Sequence, residues 1–403
     1  MTGLRREDSY GAPGAIKGPD VMKGKAVIAM SGGVDSSVAA ALMPERGFEC
    51  IGVTLKLFNN DDLGNPGASL HGVCGSGTAS LRVRGCSSGA ASPRLRGCCS
   101  LADINDARNV AYRLGMPHYV FNFSDEFREA VIRRFIETYE GGGTPNPCID
   151  CNRYIKFRLL LRRTLELGFD TIVTGHYARI ERSGDRFLLK KARDHKKDQT
   201  YVLYCLTQEQ LARCSFPLGD LTKEEVRAIA LERGFVNAGK QDSQDICFIP
   251  DRNYSRFIEE YRGHPGIEGD IIDTGGRVLG RHRGIIRYTI GQRRGLGLSF
   301  GEPMYVAAKS AVFNTVTLGP ESALYTKSLN AERINFIACA NLERPVRVTV
   351  KTRYLQTEQP AVAEQTDSDR IRVDFDKPQR AIAAGQAVVL YDGEVVVGGG
   401  TIL

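Results

Sequence analysis

The sequence lacks any apolar stretch long enough to form a membrane-spanning helix. No run of about 18 apolar residues occurs along the chain, so a membrane protein is not expected. Residues 1–20 also lack the apolar centre of a signal peptide. We therefore expect a cytoplasmic protein without a membrane partner, in which residues 1–22 form a disordered lead-in.

The chain also lacks an even number of cysteines, since it contains 11 among 403 residues. Without a signal sequence, this count argues against a disulfide scaffold and favours reduced thiols, most of which we expect to be small core residues. Basic residues exceed acidic ones only modestly, and the net charge is +7. Such a charge is weak support for a polyanionic partner such as a nucleic acid.

The N-terminal half of the sequence alternates predicted strands with predicted helices. This order indicates a parallel sheet wrapped by helices, and Pro44 and Gly47 are predicted to end the first helix. A β-hairpin is predicted within residues 168–191. The strands are predicted at 25–30, 50–58, 118–123 and 171–175, and the helices at 36–43, 100–115, 126–139, 152–168 and 222–234.

Two regions interrupt or end this pattern. Residues 60–97 are rich in Gly and Ser, contain neither Lys nor Glu, and repeat "SLRVRGCSS" as "SPRLRGCCS", which predicts a flexible insertion. From about residue 263, short β-branched runs alternate with Gly-rich turns, which predicts one or two small β-barrels. A turn-rich region at 319–330 is predicted to divide them.

A chain of 403 residues predicts two or three domains. We place a catalytic α/β domain at 23–250, with the 60–97 insertion inside it. A central small β domain is predicted at 251–327, and a C-terminal β-barrel domain at 328–403.

A candidate phosphate-binding loop, "SGGVDSS", lies at Ser31–Ser37 between the first strand and the first helix. Its glycines allow backbone N–H groups to approach an anion, and the helix N-terminus adds its positive dipole end. A Walker loop is excluded because no lysine is present. Asp35 would repel a phosphate unless a cation intervened, which suggests Mg²⁺. The alternative is a tight strand–helix turn capped by serine.

A second candidate site is the stretch "TPNPCIDCN" at 144–152. Its C-x-x-C spacing is compatible with a metal site, a redox pair, or one working thiol beside a bystander. Its two prolines favour a loop with a preset conformation. The adjacent pair Cys98 and Cys99 is interpreted as structural.

The loop at 31–37 resembles the PP-loop of ATP pyrophosphatases, and several further motifs resemble the tRNA-specific 2-thiouridylases. The resemblance runs from about Ala26 to the C-terminus, apart from the 60–97 insertion. The motifs that carry it are "TPNPCIDCNRYIKF" (144–157), "TGHYAR" (174–179), "KDQTYVLY" (197–204), "FPLG" (216–219), "DSQDICFIP" (242–250), "YTIGQRRGLG" (288–297) and "VKTRYLQT" (350–357).

The resemblance implies an α/β fold, with a PP-loop (adenine nucleotide α-hydrolase-like) parallel sheet domain followed by two small all-β barrel-like domains. It implies ATP-dependent 2-thiolation of the wobble uridine of tRNA, with adenylation of the uridine 2-oxygen and sulfur transfer from a cysteine persulfide. The implied cofactors are ATP and Mg²⁺. The implied partners are the anticodon stem-loop of tRNA and a persulfide sulfur-donor protein, and we expect a monomer.

The resemblance also assigns roles to individual residues. Cys247 would carry the persulfide, and Cys151 would be the partner nucleophile. The residues expected to bind ATP are Ala29, Met30, Ser31, Gly32, Gly33, Val34, Asp35, Ser36, Leu55 and Gly175. The residues expected to bind the target base or the rest of the tRNA are Asn146, Pro147, Cys148, His176, Lys197, Asp198, Gln199, Arg353, Tyr354 and Gln386.

The sequence departs from part of this family at Cys148, where some members have an aspartate that is a candidate general acid or base. Cys148 could act in its place, or another group could, or Cys148, Cys151 and Cys247 could together hold an iron–sulfur cluster. Two other functions stay open from the residues alone. One is a PP-loop ligase acting on a small metabolite, and the other is a nucleotide-dependent RNA-binding protein without activity.

Overall fold

A computed structural model describes residues 24–58, 100–242 and 246–403 of the chain. The predicted lead-in 1–22, the predicted insertion 60–97 and the Cys98–Cys99 pair lie outside the described residues. None of the helices in the described ranges is both long and apolar enough to cross a membrane.

The first sheet is parallel throughout, as the alternation of strands and helices predicted. Its spatial order is β3-β2-β1-β4-β7, so the chain winds to one side of β1 and then to the other. The carboxyl ends of β1 and β4 flank the point where the winding reverses, which is where open α/β sheets bind ligands. The strands are β1 Lys25–Ala29, β2 Glu49–Lys56, β3 His118–Asn122, β4 Thr171–Val173 and β7 Cys214–Ser215.

The helices of the same region begin at well-defined caps. Ser100 accepts a hydrogen bond from the backbone N–H of Asp103, and Thr222 forms a reciprocal capping box with Glu225. Two long helices contain π-helical central segments. The helices are Val34–Glu45, Leu101–Arg113, Ser124–Phe127 continued by Arg128–Arg133 and Arg134–Glu140, Pro147–Asp150 continued by Cys151–Leu159 and Leu160–Glu166, Thr200–Leu203, Gln208–Ala212, Lys223–Glu232 and Tyr254–Arg262.

Two predictions about prolines were wrong. Pro44 lies inside the helix Val34–Glu45 rather than ending it, because in the last turn its missing N–H removes only one helical bond. The helix that carries the cysteines begins at Pro147, whereas we predicted a loop up to Asn152. Proline is favoured at the first helical position, where its missing N–H would have no intrahelical partner.

The rest of the chain is mainly β-structure, which confirms the predicted fold class. A four-stranded sheet has the order β10-β11-β8-β9, and the helix Tyr254–Arg262 precedes it, which was not predicted. Its strands are β8 Gly269–Asp273, β9 Val278–His282, β10 Tyr305–Ser310 and β11 Thr315–Gly319. The predicted divider at 319–330 falls between the two β parts but is shorter than expected, since β11 ends at Gly319, Glu321–Leu324 forms a short 3-10 turn and a strand begins at Tyr325.

The last sheet closes into a six-stranded barrel with the order β12-β15-β14-β13-β16-β17, because β12 also pairs with β17. The predicted hairpin, β5 Arg179–Ser183 with β6 Arg186–Lys190, joins the outside of β17. The barrel strands are β12 Tyr325–Phe336, β13 Val346–Lys351, β14 Gln359–Asp367, β15 Arg370–Arg380, β16 Ala387–Asp392 and β17 Val395–Ile402. The domain boundaries at 250/251 and 327/328 stay predictions.

One hydrophobic core runs through all three parts of the chain. It includes Val27 of β1, Ile271 of β8 and Val389 of β16, each fully buried. A second core fills the interior of the barrel. The parallel sheet, the four-stranded sheet and the barrel are therefore packed together around a shared apolar centre.

Candidate functional site

The loop after β1 has the backbone of an anion-binding turn. Gly32 has a positive φ of 73°, and a Cβ at this position would overlap the carbonyl oxygen of Asp103. Gly33 is the N-cap of the helix Val34–Glu45, and its carbonyl accepts from both Ser36 and Ser37 hydroxyls at 3.0 Å. The start of this helix, with its partial positive charge, therefore faces the carboxyl edge of the sheet.

Two side chains that the sequence did not suggest hold this loop through the carbonyl of Gly32. Asn237 Nδ2 and Lys240 Nζ each donate to the Gly32 carbonyl at 3.0 Å. Asn237 also donates to Ser37 Oγ at 2.9 Å, and Lys240 pairs with Asp103 and with Asp106. Because the peptide bond is trans, the N–H of Gly33 points away from the side on which the Gly32 carbonyl is held.

Asp35 belongs to a chain of charged side chains. Its Oδ1 accepts from Tyr177 OH at 2.8 Å and lies 2.7 Å from Lys223 Nζ. Lys223 in turn lies 2.6 Å from Asp242 Oδ1, and Lys197 lies 2.7 Å from the other oxygen of Asp242. The predicted ATP residue Asp35 is thus linked to the predicted tRNA residue Lys197 through two intermediate side chains.

The other predicted ATP residues converge on the same edge. Leu55 is the penultimate residue of β2, Gly175 lies two residues after β4, and β1 lies between these two strands in the sheet. A Cβ on Gly175 would lie 2.7 Å from the backbone nitrogen of Ser36. Only glycine therefore permits the chain after β4 to approach the helix start this closely.

His176 is a buried residue, whereas its predicted contact with tRNA would require an accessible ring. Its ring is buried between Phe157 and Phe216, and Nδ1 lies 2.7 Å from Thr174 Oγ1. Burial, together with the charge of Lys156, holds the pKa of His176 well below its ordinary value. The ring is therefore neutral, and its role toward tRNA stays a prediction.

Asp198 and Gln199, which follow Lys197, hold the backbone around the site. Asp198 accepts from the N–H of Ala192 at 3.0 Å and from Thr200 Oγ1 at 2.6 Å, and its burial raises the carboxyl pKa. Gln199 Oε1 accepts from the N–H of Tyr177 at 2.9 Å, so it supports the tyrosine that contacts Asp35.

The two cysteines of the C-x-x-C stretch lie one turn apart on one face of a helix. Cys148 is in the first turn and exposed, whereas Cys151 begins the π-helical segment and is buried. π-Helical segments occur frequently at functional sites. The helix start packs against the segment Arg128–Arg133.

Cys247 lies on a separate segment, and this segment packs against the helix spanning 124–140, which contains Arg128–Arg133. Cys247 is partly buried, and the next residue, Phe248, packs edge-on against Phe127 and Phe135 at 5.7 and 5.4 Å between ring centroids. The segments that carry Cys151 and Cys247 thus both pack against the helix spanning 124–140. This arrangement is compatible with a meeting of the two sulfurs, which stays a prediction.

The barrel contributes the remaining predicted tRNA residues next to the cysteine helix. The Tyr354 ring packs 6.1 Å from that of Tyr201, and burial, with the charges of Asp198 and Cys148, raises the pKa of the Tyr354 hydroxyl to about 12. Arg353 donates to the Ala381 carbonyl, and its burial lowers its pKa. Gln386 Nε2 donates to the carbonyl of Pro145 at 3.3 Å, directly before Asn146.

The metal-binding capacity of these residues is limited. Among the described residues, Cys148, Cys151 and Cys247 included, no three His, Cys, Asp or Glu side chains are grouped closely enough to hold a metal ion. The arrangement in this structure therefore does not fit an iron–sulfur cluster. Proteins hold Mg²⁺ with few carboxylates and with substrate phosphates, and its binding at Asp35 stays a prediction.

Comparison with known proteins gives three matches to family models. The residues 24–80 and 80–251 match a "tRNA methyl transferase HUP domain". Residues 255–320 match a "tRNA methyl transferase PRC-barrel domain", and 326–402 match an "Aminomethyltransferase beta-barrel domain". These matches together cover nearly all of the described part of the chain.

Curated relatives are similar along nearly the whole chain. A tRNA-specific 2-thiouridylase MnmA of Acetivibrio thermocellus is 47% identical over 382 residues, which are 94% of this chain and 99% of the relative. The chain belongs to the tRNA-specific 2-thiouridylase family. The family's relatives of the same name include one from Clostridioides difficile, 45% identical over 94% of this chain and 98% of the relative. Another relative, from Halothermothrix orenii, is 46% identical over 94% of this chain and 98% of the relative.

Membership of the 2-thiouridylase family confirms the resemblance seen in the sequence motifs. The solved structures are less similar. A 4-thiouridine synthetase–RNA complex with bound ATP has a TM-score of 0.31 at 17% identity, covering 59% of this chain and 50% of that chain. Three supporting residues, Lys223, Asn237 and Lys240, lie outside the quoted motifs and became visible only through their contacts. Tyr177 lies in the "TGHYAR" motif, but its hydrogen bond to Asp35 was not predicted.

Proposed function

We propose that this protein is an ATP-dependent tRNA-uridine 2-sulfurtransferase that thiolates the wobble uridine of tRNA. The observation that carries the proposal is the 47% identity over 94% of the chain to a tRNA-specific 2-thiouridylase. The loop geometry at Gly32 and the cysteine helix are consistent with it, because the first provides an anion site and the second a pair of thiols.

The first step of the proposed reaction activates a poor leaving group. The 2-oxygen of the uridine attacks the α-phosphorus of ATP, the bond to the β-phosphate oxygen breaks, and pyrophosphate leaves with the bonding electrons. The N–H groups that follow Gly32 would hold the phosphates, and Lys223 would offset the charge of Asp35. Asp35 is also the residue that would hold Mg²⁺, which would supply further neutralisation of phosphate charge.

The second step delivers sulfur from a persulfide on Cys247. The Cys151 thiolate attacks Sγ of Cys247, so a Cys151–Cys247 disulfide forms, and the terminal sulfur leaves as hydrosulfide with the electron pair. Hydrosulfide attacks C2 of the adenylated base, and AMP leaves with the bond to the former 2-oxygen. An external thiol reductant must then supply two electrons to reopen the disulfide.

The substrate and partners follow from the same proposal. The wobble uridine must leave its stack to reach the cysteine helix, as in other enzymes that act on a base. Tyr354 and Gln386 would border that base, and the hydrogen bond from Gln386 Nε2 to the Pro145 carbonyl at 3.3 Å supports this for Gln386. A second protein would load the persulfide onto Cys247, and we propose that the enzyme acts as a monomer.

The deciding experiment is mass spectrometry of tRNA nucleosides after incubation with the purified protein, ATP, a persulfide donor and a thiol reductant. The expected result is 2-thiouridine at the wobble position together with release of AMP and pyrophosphate. Absence of 2-thiouridine in this assay would refute the proposal, and a methylated nucleoside in a parallel incubation with a methyl donor would favour the chemistry that the family-model descriptions name. Pyrophosphate release without tRNA would instead favour a ligase that acts on a small metabolite.

A further inference from the structure

The cysteine helix is preceded by a turn that both β parts of the protein enclose. We call residues 141–146 the approach turn. From the four-stranded sheet, Lys309 Nζ donates to the carbonyl of Gly143 at 3.3 Å and to that of Tyr288 at 2.9 Å. A Cβ on Gly142 would lie 3.7 Å from Lys309 Cβ, so the strand β10 packs directly on the turn.

The barrel holds the other end of the approach turn. The N–H of Thr144 donates to the Ala384 carbonyl at 2.8 Å, and Gln386 Nε2 donates to the Pro145 carbonyl at 3.3 Å. Gly385 lies between these two contacts with a φ of 84°, and a Cβ there would lie 3.2 Å from the nitrogen of Thr144. The position of the turn is therefore determined jointly by the two β parts.

Burial of the charged amine of Lys309 at this position lowers the free energy of unfolding. Lys309 is largely buried, and burial lowers its pKa from 10.5 to about 8. Within the described ranges Lys309 forms no ion pair, and beyond its two carbonyl acceptors it has the ring of Tyr139, 5.9 Å from the amine. An apolar side chain of similar length would be cheaper to bury. Stability alone therefore does not explain an amine here, whereas its two hydrogen bonds join segments that are far apart in the sequence.

We propose that Lys309 is a positioning residue that sets the place of the cysteine helix, and with it Cys148 and Cys151, through the carbonyl of Gly143. Gly143 lies four residues before Pro147, where the helix begins, so a displacement of the turn is passed to the first helical turn. The inference rests on the proposed function, in which Cys151 must reach Cys247. Errors of about 1 Å in such a position cost up to about 100-fold in rate.

The test is Lys309→Met, which removes the donor and keeps the length of the side chain. The matched control is Lys25→Met, because Lys25 lies at the amino end of β1, at the edge opposite the loop, and pairs with Glu49 at 3.3 Å. We expect kcat for tRNA thiolation to fall about tenfold in Lys309→Met, while KM for ATP and for tRNA stays within about twofold. Lys25→Met should match the wild type.

A second measurement reports position without requiring turnover. Each cysteine is alkylated with iodoacetamide, and its rate is followed by peptide mass spectrometry. In Lys309→Met the rates at Cys148 and Cys151 should change severalfold, while Cys50 in β2 and Cys214 in β7 keep their rates. Burial raises the pKa of both reference thiols, and both lie in the parallel sheet away from the approach turn.

The outcomes separate the inference from its alternatives. Unchanged kcat, or a lower kcat with unchanged alkylation of Cys148 and Cys151, overturns the positioning role. A rise at all four cysteines with a lower melting temperature also overturns it, since Lys309 would then only stabilise the fold. A wild-type protein that thiolates no tRNA would refute the proposed function, while the alkylation pattern would still decide the role of Lys309.

Discussion

Lys223 Nζ lies 2.7 Å from Asp35 Oδ1, so the acidic residue of the phosphate loop has a cation from its own chain. From the sequence, Asp35 was expected to need Mg²⁺ before a phosphate could approach. The structure shows that a lysine with only 6% of its side chain exposed already neutralises much of this charge. Lys223 also lies 2.6 Å from Asp242, which makes it the centre of the charged chain that ends at Lys197.

Replacing this shared cation should weaken ATP binding more than tRNA binding. In Lys223→Met, Asp35 and Asp242 lose their common partner, and the uncompensated charge of Asp35 would repel the phosphates. We expect KM for ATP to rise at least about tenfold, measured by pyrophosphate release. Lys190→Met, at the outer hairpin where Lys190 pairs with Glu181 at 2.8 Å, serves as the control. An unchanged KM for ATP would contradict this assignment.

The side chains behind Gly32 should affect ATP in the same selective way. Lys240→Met removes a donor to the Gly32 carbonyl and leaves Asn237 as the remaining one. We expect the affinity for ATP, measured by isothermal titration calorimetry, to fall about three- to tenfold, because one lost hydrogen bond is worth about 1 kcal/mol. The affinity for tRNA should stay unchanged. An equal loss for both ligands would indicate general unfolding of the site instead.

Adjacent glycines in the loop offer a matched pair of substitutions. A Cβ at Gly32 would overlap the Asp103 carbonyl, and φ is 73°, so Gly32→Ala should destabilise the protein by about 1–3 kcal/mol. A Cβ at Gly33 meets only Ser31 Oγ at 3.5 Å, so Gly33→Ala should fold normally. If the loop cradles phosphate, Gly33→Ala should still weaken ATP binding. Thermal melts and ATP titration of both variants check this, and normal ATP binding by a folded Gly33→Ala protein would contradict a phosphate cradle.

The sequence predicted the architecture well because periodicity and caps are local. The parallel strands, the capped helix after Thr222 and the hairpin at 179–190 follow from neighbouring residues. The partners of the loop could not be predicted in this way. Lys223 and Lys240 are about 190 and 210 residues from the loop they contact, and an isolated lysine in a polar helix start carries no signal of its own. Only the packing of Lys223–Glu232 against Val34–Glu45 brings Lys223 to Asp35.

Serine substitutions should separate the three cysteines of the site. Cys151→Ser and Cys247→Ser should each lower thiolation at least about 1,000-fold, because an alcohol can neither carry the persulfide nor exchange with it. Pyrophosphate release in the presence of tRNA should persist in both variants. Cys50→Ser, in the parallel sheet, is the control.

Cys148→Ser decides between the interpretations of the exposed thiol. A serine keeps a small polar side chain at this position, so activity within about threefold of the wild type would indicate that Cys148 only fills space. A loss as large as that of Cys151→Ser would indicate a direct role in proton or sulfur transfer. Iron analysis of anaerobically purified wild-type protein completes the test, and stoichiometric iron would show that the three cysteines rearrange to bind a cluster.

The pH dependence of stability gives an independent check on the buried state of Lys309. Its pKa is about 8 in the folded protein and 10.5 when exposed, so between these values the unfolded chain binds more protons than the folded chain. Stability therefore rises with pH through this window, and the whole cost of burying the charged amine is present below about pH 8. Burial raises the pKa of the neighbouring Tyr139 and Tyr288 hydroxyls. Both hydroxyls therefore stay neutral at pH values below the ordinary pKa of tyrosine.

Lys309→Met removes this proton-linked cost. Its melting temperature relative to the wild type should be highest below pH 8 and should decline as the pH rises toward 10, because only the wild type gains stability there. Lys25→Met should show no such trend, since Lys25 is half exposed and paired with Glu49. A difference between Lys309→Met and the wild type that does not vary with pH would mean that the amine is not desolvated. A variant that melts no lower than the wild type near neutral pH, yet has lost kcat, would show that the amine serves position rather than stability.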